Sequence, residues 1–133
     1  MYDDGRQTDT GGHLYLRPRD MAKIGQLVLQ RGVWNGRQIV SAGWIDRSTA
    51  TPGMLRSSPY GYLWWGASAR HGAGEVRYVS ARGNGGQTIM IVPQLDLVVV
   101  ATAGNFDSDR GDVPLRLLEN RIIPAVDVPA AAP

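Results

Sequence analysis

"TIMIVPQLDLVVVAT" occupies Thr88 to Thr102, and the rest of the chain is read outward from it. Thr88 to Val92 and Leu95 to Thr102 carry apolar residues on both faces of the pleat, around the breaker Pro93-Gln94-Leu95-Asp96. A strand wet on one face alternates polar and apolar residues, so two such runs predict an antiparallel hairpin in a sheet covered on both sides. Directly before it stands Gly83-Asn84-Gly85-Gly86. Glycine within a strand gives up packing and costs backbone entropy, so it marks a turn, a bulge or the close approach of another group.

Upstream, Arg17-Pro18-Arg19-Asp20 places proline and a carboxylate where a first helical turn favours them, and Met21, Ile24, Leu27 and Val28 recur on one face. This predicts an amphipathic helix ending near Gly32. Asn35-Gly36 predicts a turn, Ile39-Val40 a short extended piece, and Ser41 the cap of a second helix with Trp44 and Ile45 inside. Tyr60 to Gly66 and Glu75 to Ala81 read as strands, by aromatic content and by alternation respectively. Val113 to Val126 predicts a final helix with Leu115, Leu118 and Ile122 inward, stopped by Pro124. Residues 1–126 thus read as parts of a single domain, and 127–133 as a disordered tail.

At 133 residues and 43% hydrophobic content, the chain has the material for one domain at most. A net charge of +2 and arginines interspersed with other residues argue against a nucleic-acid partner. No cysteine is present, which removes disulfides and thiolate metal sites. His13, His71 and scattered carboxylates have no metal-ligand spacing, and no segment approaches the roughly 20 apolar residues of a membrane helix. No metal, cofactor or membrane span is expected, and nothing gives a compartment.

The ordered segments "GGHLYLRPRDMAKIGQLVLQRGVWNGRQIVSAGWIDRST", "YGYLWW", "GNGGQ", "VPQLDLVVVATAGN" and "IIPA" together resemble the C-terminal part of the β-lactamase-like serine hydrolases. That superfamily includes class C β-lactamases, DD-peptidases, carboxylesterases and 6-aminohexanoate-dimer hydrolases, and the resemblance spans roughly Gly11 to Ala125. It implies an α+β fold, the C-terminal part of the β-lactamase/transpeptidase-like fold, with an antiparallel sheet and flanking helices. It also implies a small ester, amide or peptide substrate, and family members are often periplasmic or secreted.

The resemblance further implies roles for the glycine stretch. In the family a Lys-Thr-Gly motif or a variant lies on the active-site strand, and the backbone N–H after it is one of two oxyanion-hole donors. Here Asn84, Gly85 and Gly86 occupy the motif and Gln87 follows, with small residues giving a substrate carbonyl access to within about 3 Å of the donor. The competing reading of the same residues is a glycine-rich turn feeding the hairpin. Asn84 stands where many relatives carry a lysine for the substrate carboxylate, which favours esters or neutral amides. Arg82 could supply charge nearby, but reads as a solvated strand-end residue.

The family's nucleophile motif, Ser-x-x-Lys, is absent: Lys23 is the one lysine, and Asp20 stands three residues before it. No tyrosine begins a Tyr-x-Asn motif; Tyr2, Tyr15, Tyr60, Tyr62 and Tyr78 are followed two positions on by Asp4, Arg17, Tyr62, Trp64 and Ser80. No catalytic residue is therefore assigned, and the expectation is a C-terminal portion of a longer enzyme whose missing N-terminal portion supplies Ser, Lys and Tyr. A binding or interaction domain that kept the sheet without the chemistry is the alternative. No Gly-x-Ser-x-Gly elbow supports a Ser-His-Asp device, "GASAR" being the nearest approach. Trp34, Trp44, Trp64 and Trp65 could stack a ligand and the YGYLWW stretch could line a substrate cleft, but most of it reads as packing. The doubly apolar strands finally predict an uncovered apolar patch and self-association.

Overall fold

Arg17 leads into the first helix without a side-chain cap, and Pro18 opens it where its missing N–H costs nothing. A computed structural model describes residues 14–127, together with the backbone of a short antiparallel pair, β1 (Tyr2–Asp3) and β2 (Gln7–Thr8). His13 and the tail beyond Asp127 lie outside the described residues. The fold is α+β, and among the described residues no helix is long and apolar enough to cross a membrane.

Helix α1 (Pro18–Leu29) ends in a turn in which the Gly32 N–H donates to the Leu27 carbonyl at 2.7 Å. Gly32 has φ +84°, a left-handed conformation that glycine adopts without strain. A hairpin follows, β3 (Val33–Trp34) and β4 (Arg37–Gln38). The expected turn at Asn35-Gly36 joins them, with φ 49° and 75°, both positive as a tight two-residue hairpin turn requires. The extended piece thus lies at Arg37–Gln38 and not at Ile39-Val40. Helix α2 (Ala42–Thr49) is capped by Ser41, whose Oγ accepts from the Trp44 N–H at 3.3 Å.

Six strands then form one antiparallel sheet: β5 (Gly53–Leu55), β6 (Ser58–Gly61), β7 (Trp64–His71), β8 (Gly74–Arg82), β9 (Thr88–Val92) and β10 (Leu97–Ala101). Their spatial order is β10-β9-β8-β7-β6-β5, every neighbour being next in sequence. The single strand expected over Tyr60 to Gly66 is instead two strands joined at Tyr62 and Leu63, both left-handed at φ 49° and 70°. Neither residue announces a turn by its chemistry. Trp44, expected inside, is 45% exposed on α2 and meets Tyr62 edge-on at 5.3 Å between ring centroids.

The sheet is covered on both faces. Gly25 of α1 seats the helix over β9 and β10: a Cβ there would fall 2.5 Å from Val98 Cγ1 and 3.1 Å from Ile89 Cγ2. On the opposite face Val76, Tyr78, Met90 and Val92 pack against the C-terminal helical segment. That segment begins as α3 (Val113–Leu117), passes through a π turn (Leu118–Ile122) and closes with a 3₁₀ turn (Ile123–Ala125). β9 is buried at every position, whereas β10 is half-buried throughout because it forms the sheet's edge.

Tyr78 ties the two layers together, its hydroxyl donating to Glu119 Oε1 at 2.5 Å. Burial, then the hydrogen bond to Glu119, raises the phenol's pKa well above its ordinary value. The fold therefore favours the protonated phenol. This contribution is complete below about pH 10, the unfolded phenol's pKa, and disappears as pH rises above it. Tyr78→Phe is expected to cost about 1–2 kcal/mol at neutral pH by urea denaturation, because the hydrogen bond is lost. It should also remove this part of the alkaline destabilisation expected of the parent chain.

Candidate functional site

The predicted site residues Asn84, Gly85, Gly86 and Gln87 lie in the loop from β8 to β9, beyond the end of either strand. The loop closes on itself: the Gly83 N–H donates to the Gln87 carbonyl at 2.8 Å, and the Gly86 N–H to the Gly83 carbonyl at 3.3 Å. Gly85 and Gly86 sit at φ +98° and +94°, the left-handed region that side chains other than glycine resist. Both are buried, while Asn84 is exposed at the tip.

The segment after β10 holds this loop in place. The Asn105 N–H donates to the Gly85 carbonyl at 2.9 Å, and the Gln87 side-chain amide donates to the Ala103 carbonyl at 2.6 Å. A Cβ on Gly85 would fall 2.9 Å from Phe106 Cε1, and one on Gly86 would fall 3.2 Å from the Gly111 carbonyl oxygen and 3.3 Å from Ala103 Cβ. Small residues are thus required here by neighbours within the chain. Among the described residues, the backbone N–H groups of Asn84, Gly85 and Gln87 have no hydrogen-bond acceptor.

Arg82, read as a solvated strand-end residue, is exposed at the last position of β8. Its Nε donates to Ser80 Oγ at 2.9 Å, and its guanidinium carbon lies 5.3 Å from the centroid of the Trp65 ring. Trp65 in turn packs on Tyr60 at 4.7 Å. Ser80 and Arg82 share a face by their spacing of two, and Trp65 is Ser80's cross-strand partner. The spacing was visible in the sequence, but the pairing was not.

A separate cavity of about 890 Å³ opens between α1, α2 and the sheet, with Leu29, Ile45, Val79 and Ile91 among its walls. None of Asn84, Gly85, Gly86 or Gln87 lines it. An ion pair of Arg31 with Asp46 stands at its lining, Nε to Oδ1 at 3.1 Å, and their hydrogen bond lowers the Asp46 pKa and raises that of Arg31. His71 Nε2 lies 2.8 Å from the Val126 carbonyl oxygen, a contact that joins β7 to the residue following the C-terminal helical segment. Lys23 is paired with Asp20 at 2.8 Å on the exposed side of α1. Among the described residues, no cluster of three or more histidines and carboxylates could hold a metal ion.

The chain is 29% identical over 109 residues to 6-aminohexanoate-dimer hydrolase of Paenarthrobacter ureafaciens, a match covering 74% of this chain and 26% of that enzyme. The similarity is to a hydrolase. No family model matches the chain. The relationship is therefore distant, and the chain spans about a quarter of the curated relative it matches.

Proposed function

We propose that the chain is the C-terminal portion of a β-lactamase-like serine hydrolase, working by acyl transfer on a small ester or neutral amide. The observation that carries this reading is the similarity to 6-aminohexanoate-dimer hydrolase. The chain's role is to offer the Gln87 N–H to the developing oxyanion and to form one wall of the cleft. Such a donor is worth about 10²–10³ in rate when the carbonyl oxygen gains charge. Residues 1–126 would be part of a single domain, and Ser, Lys and Tyr would come from a preceding N-terminal portion of the polypeptide. Acyl transfer through a serine needs no cofactor. Neutral Asn84 puts no fixed charge at the motif for a substrate carboxylate.

The missing Ser-x-x-Lys favours a second reading, a non-catalytic binding domain derived from the same fold. An in-frame Ser-x-x-Lys encoded upstream of Met1 would support the first reading, and an independent promoter and ribosome site there would support the second. For the chain by itself, incubation with a chromogenic short-chain ester and a chromogenic cephalosporin, followed by intact-mass spectrometry, is expected to give no covalent adduct. A stable acyl group on any serine of this chain would overturn the proposal that its nucleophile lies elsewhere.

A further inference from the structure

A loop that carries Gly83, Gly85 and Gly86 is soft by composition, because glycine leaves the peptide planes on either side of it free to rotate. A backbone donor speeds a reaction only when its direction is set before charge develops. The stiffness of this loop therefore has to come from contacts outside its own glycines, and Gln87 makes them. Its main-chain carbonyl accepts from the Gly83 N–H at 2.8 Å, and its side-chain Nε2 donates to the Ala103 carbonyl at 2.6 Å. One end of the residue is thus tied to the start of the loop, and the other to the segment that follows β10.

The glycines make room for that side chain. A Cβ at Gly83 would fall 2.9 Å from Gln87 Oε1, and one at Gly85 would fall 3.2 Å from Gln87 Nε2. The amide lies in the curve of the loop, where a side chain at either position would push it off Ala103. These contacts all run within the chain and are complete in it.

We propose that the Gln87 side chain is a positioning residue, which fixes the direction of the Gln87 N–H by tethering the loop to Ala103. This rests on the hydrolase role proposed for the chain, in which that N–H meets the oxyanion. Asn105 braces the preceding peptide, its N–H donating to the Gly85 carbonyl at 2.9 Å, but that bond is main chain to main chain. The amide of Gln87 is the side-chain bond that ties residues 83–87 to the segment after β10. Gln87 is only half-buried, so its contribution is one directional bond more than bulk, and an isostere without the donor should separate the two.

The test compares Gln87→Met, which keeps the side-chain length and removes the donor, with Gln87→Glu, whose acid donates an O–H to the Ala103 carbonyl when protonated and cannot when ionised. In this chain, Q87M is expected to speed amide exchange at Gly83 and Asn105 by about tenfold, with Met90 of β9 unchanged. In a longer polypeptide that contains the Ser-x-x-Lys motif, Q87M should lower kcat by about 10–100-fold and leave KM within about two-fold, as when an interaction made in the transition state is lost. The kcat of Q87E relative to the parent should rise as the pH falls and the carboxyl, facing a carbonyl oxygen, takes up its proton. The ratio for Q87M should stay flat. A side chain that only fills space gives two flat ratios, which would overturn the proposal, as would unchanged exchange at Gly83 and Asn105 or an active parent matched by Q87M. A parent polypeptide that forms no acyl-enzyme would overturn the hydrolase reading and this proposal with it. If Q87M fails to fold, the pH dependence of the Q87E ratio decides.

Discussion

Leu118→Ala is expected to destabilise the chain by about 2–5 kcal/mol in urea denaturation, the range for truncating a large buried aliphatic side chain. Leu118 is fully buried where the C-terminal segment meets Tyr78, Met90 and Val92 on the sheet, so the vacated volume has rigid strand on one side. Ile123 is equally buried, and Ile123→Ala should cost a similar amount. Ile122→Ala should cost clearly less, because that side chain stays partly exposed. A reading in which Leu118 and Ile122 share a face, as in an uninterrupted α-helix, expects the reverse order for the two isoleucines. The π turn over Leu118–Ile122 accounts for the difference: one extra residue per turn brings the fifth residue after Leu118, not the fourth, back onto the sheet.

The same kind of phase error separates what could be read along this chain from what could not. β9 was legible because Thr88 to Val92 is apolar at nearly every position, and a pattern with no wet face admits few placements. The turn at Asn35-Gly36 and the cap at Ser41 were legible because their chemistry is local. The turn at Tyr62 and Leu63 was not: both residues are held at positive φ by the pairing of β6 with β7 on either side, and neither side chain favours that conformation. Trp44 was misplaced because α2 is only eight residues long and its apolar side finds Tyr62 at the surface. Arg82 is exposed at the end of β8 as expected, and its contact with Trp65 was not legible because it depends on strand pairing across the sheet. For the glycine stretch the sequence left two roles open, and the geometry now specifies what each side of Gly85 and Gly86 meets.

Gly86→Val is expected to remove about 3 kcal/mol or more of stability, combining the strain of a β-branched residue at positive φ with overpacking, each worth about 1–3 kcal/mol. The backbone there is at φ +94°, and the added Cβ would press on the Gly111 carbonyl oxygen at 3.2 Å and Ala103 Cβ at 3.3 Å. Because these atoms belong to the chain itself, the loss should appear as a lower melting temperature of this chain alone, before any substrate is involved. Asn84→Ala, at the exposed tip, should leave the melting temperature nearly unchanged. The proposed hydrolase role adds a second measurement, made on a longer polypeptide that contains the Ser-x-x-Lys motif. If the Gln87 N–H serves the oxyanion, distortion of the adjoining residue should lower kcat/KM per folded molecule by about 10²–10³, the cost of losing one such donor. A folded Gly86→Val enzyme with activity within a few-fold of the parent would leave Gly85 and Gly86 as residues of a turn, required by φ and by Phe106, Ala103 and Gly111, and would remove the oxyanion role from this loop.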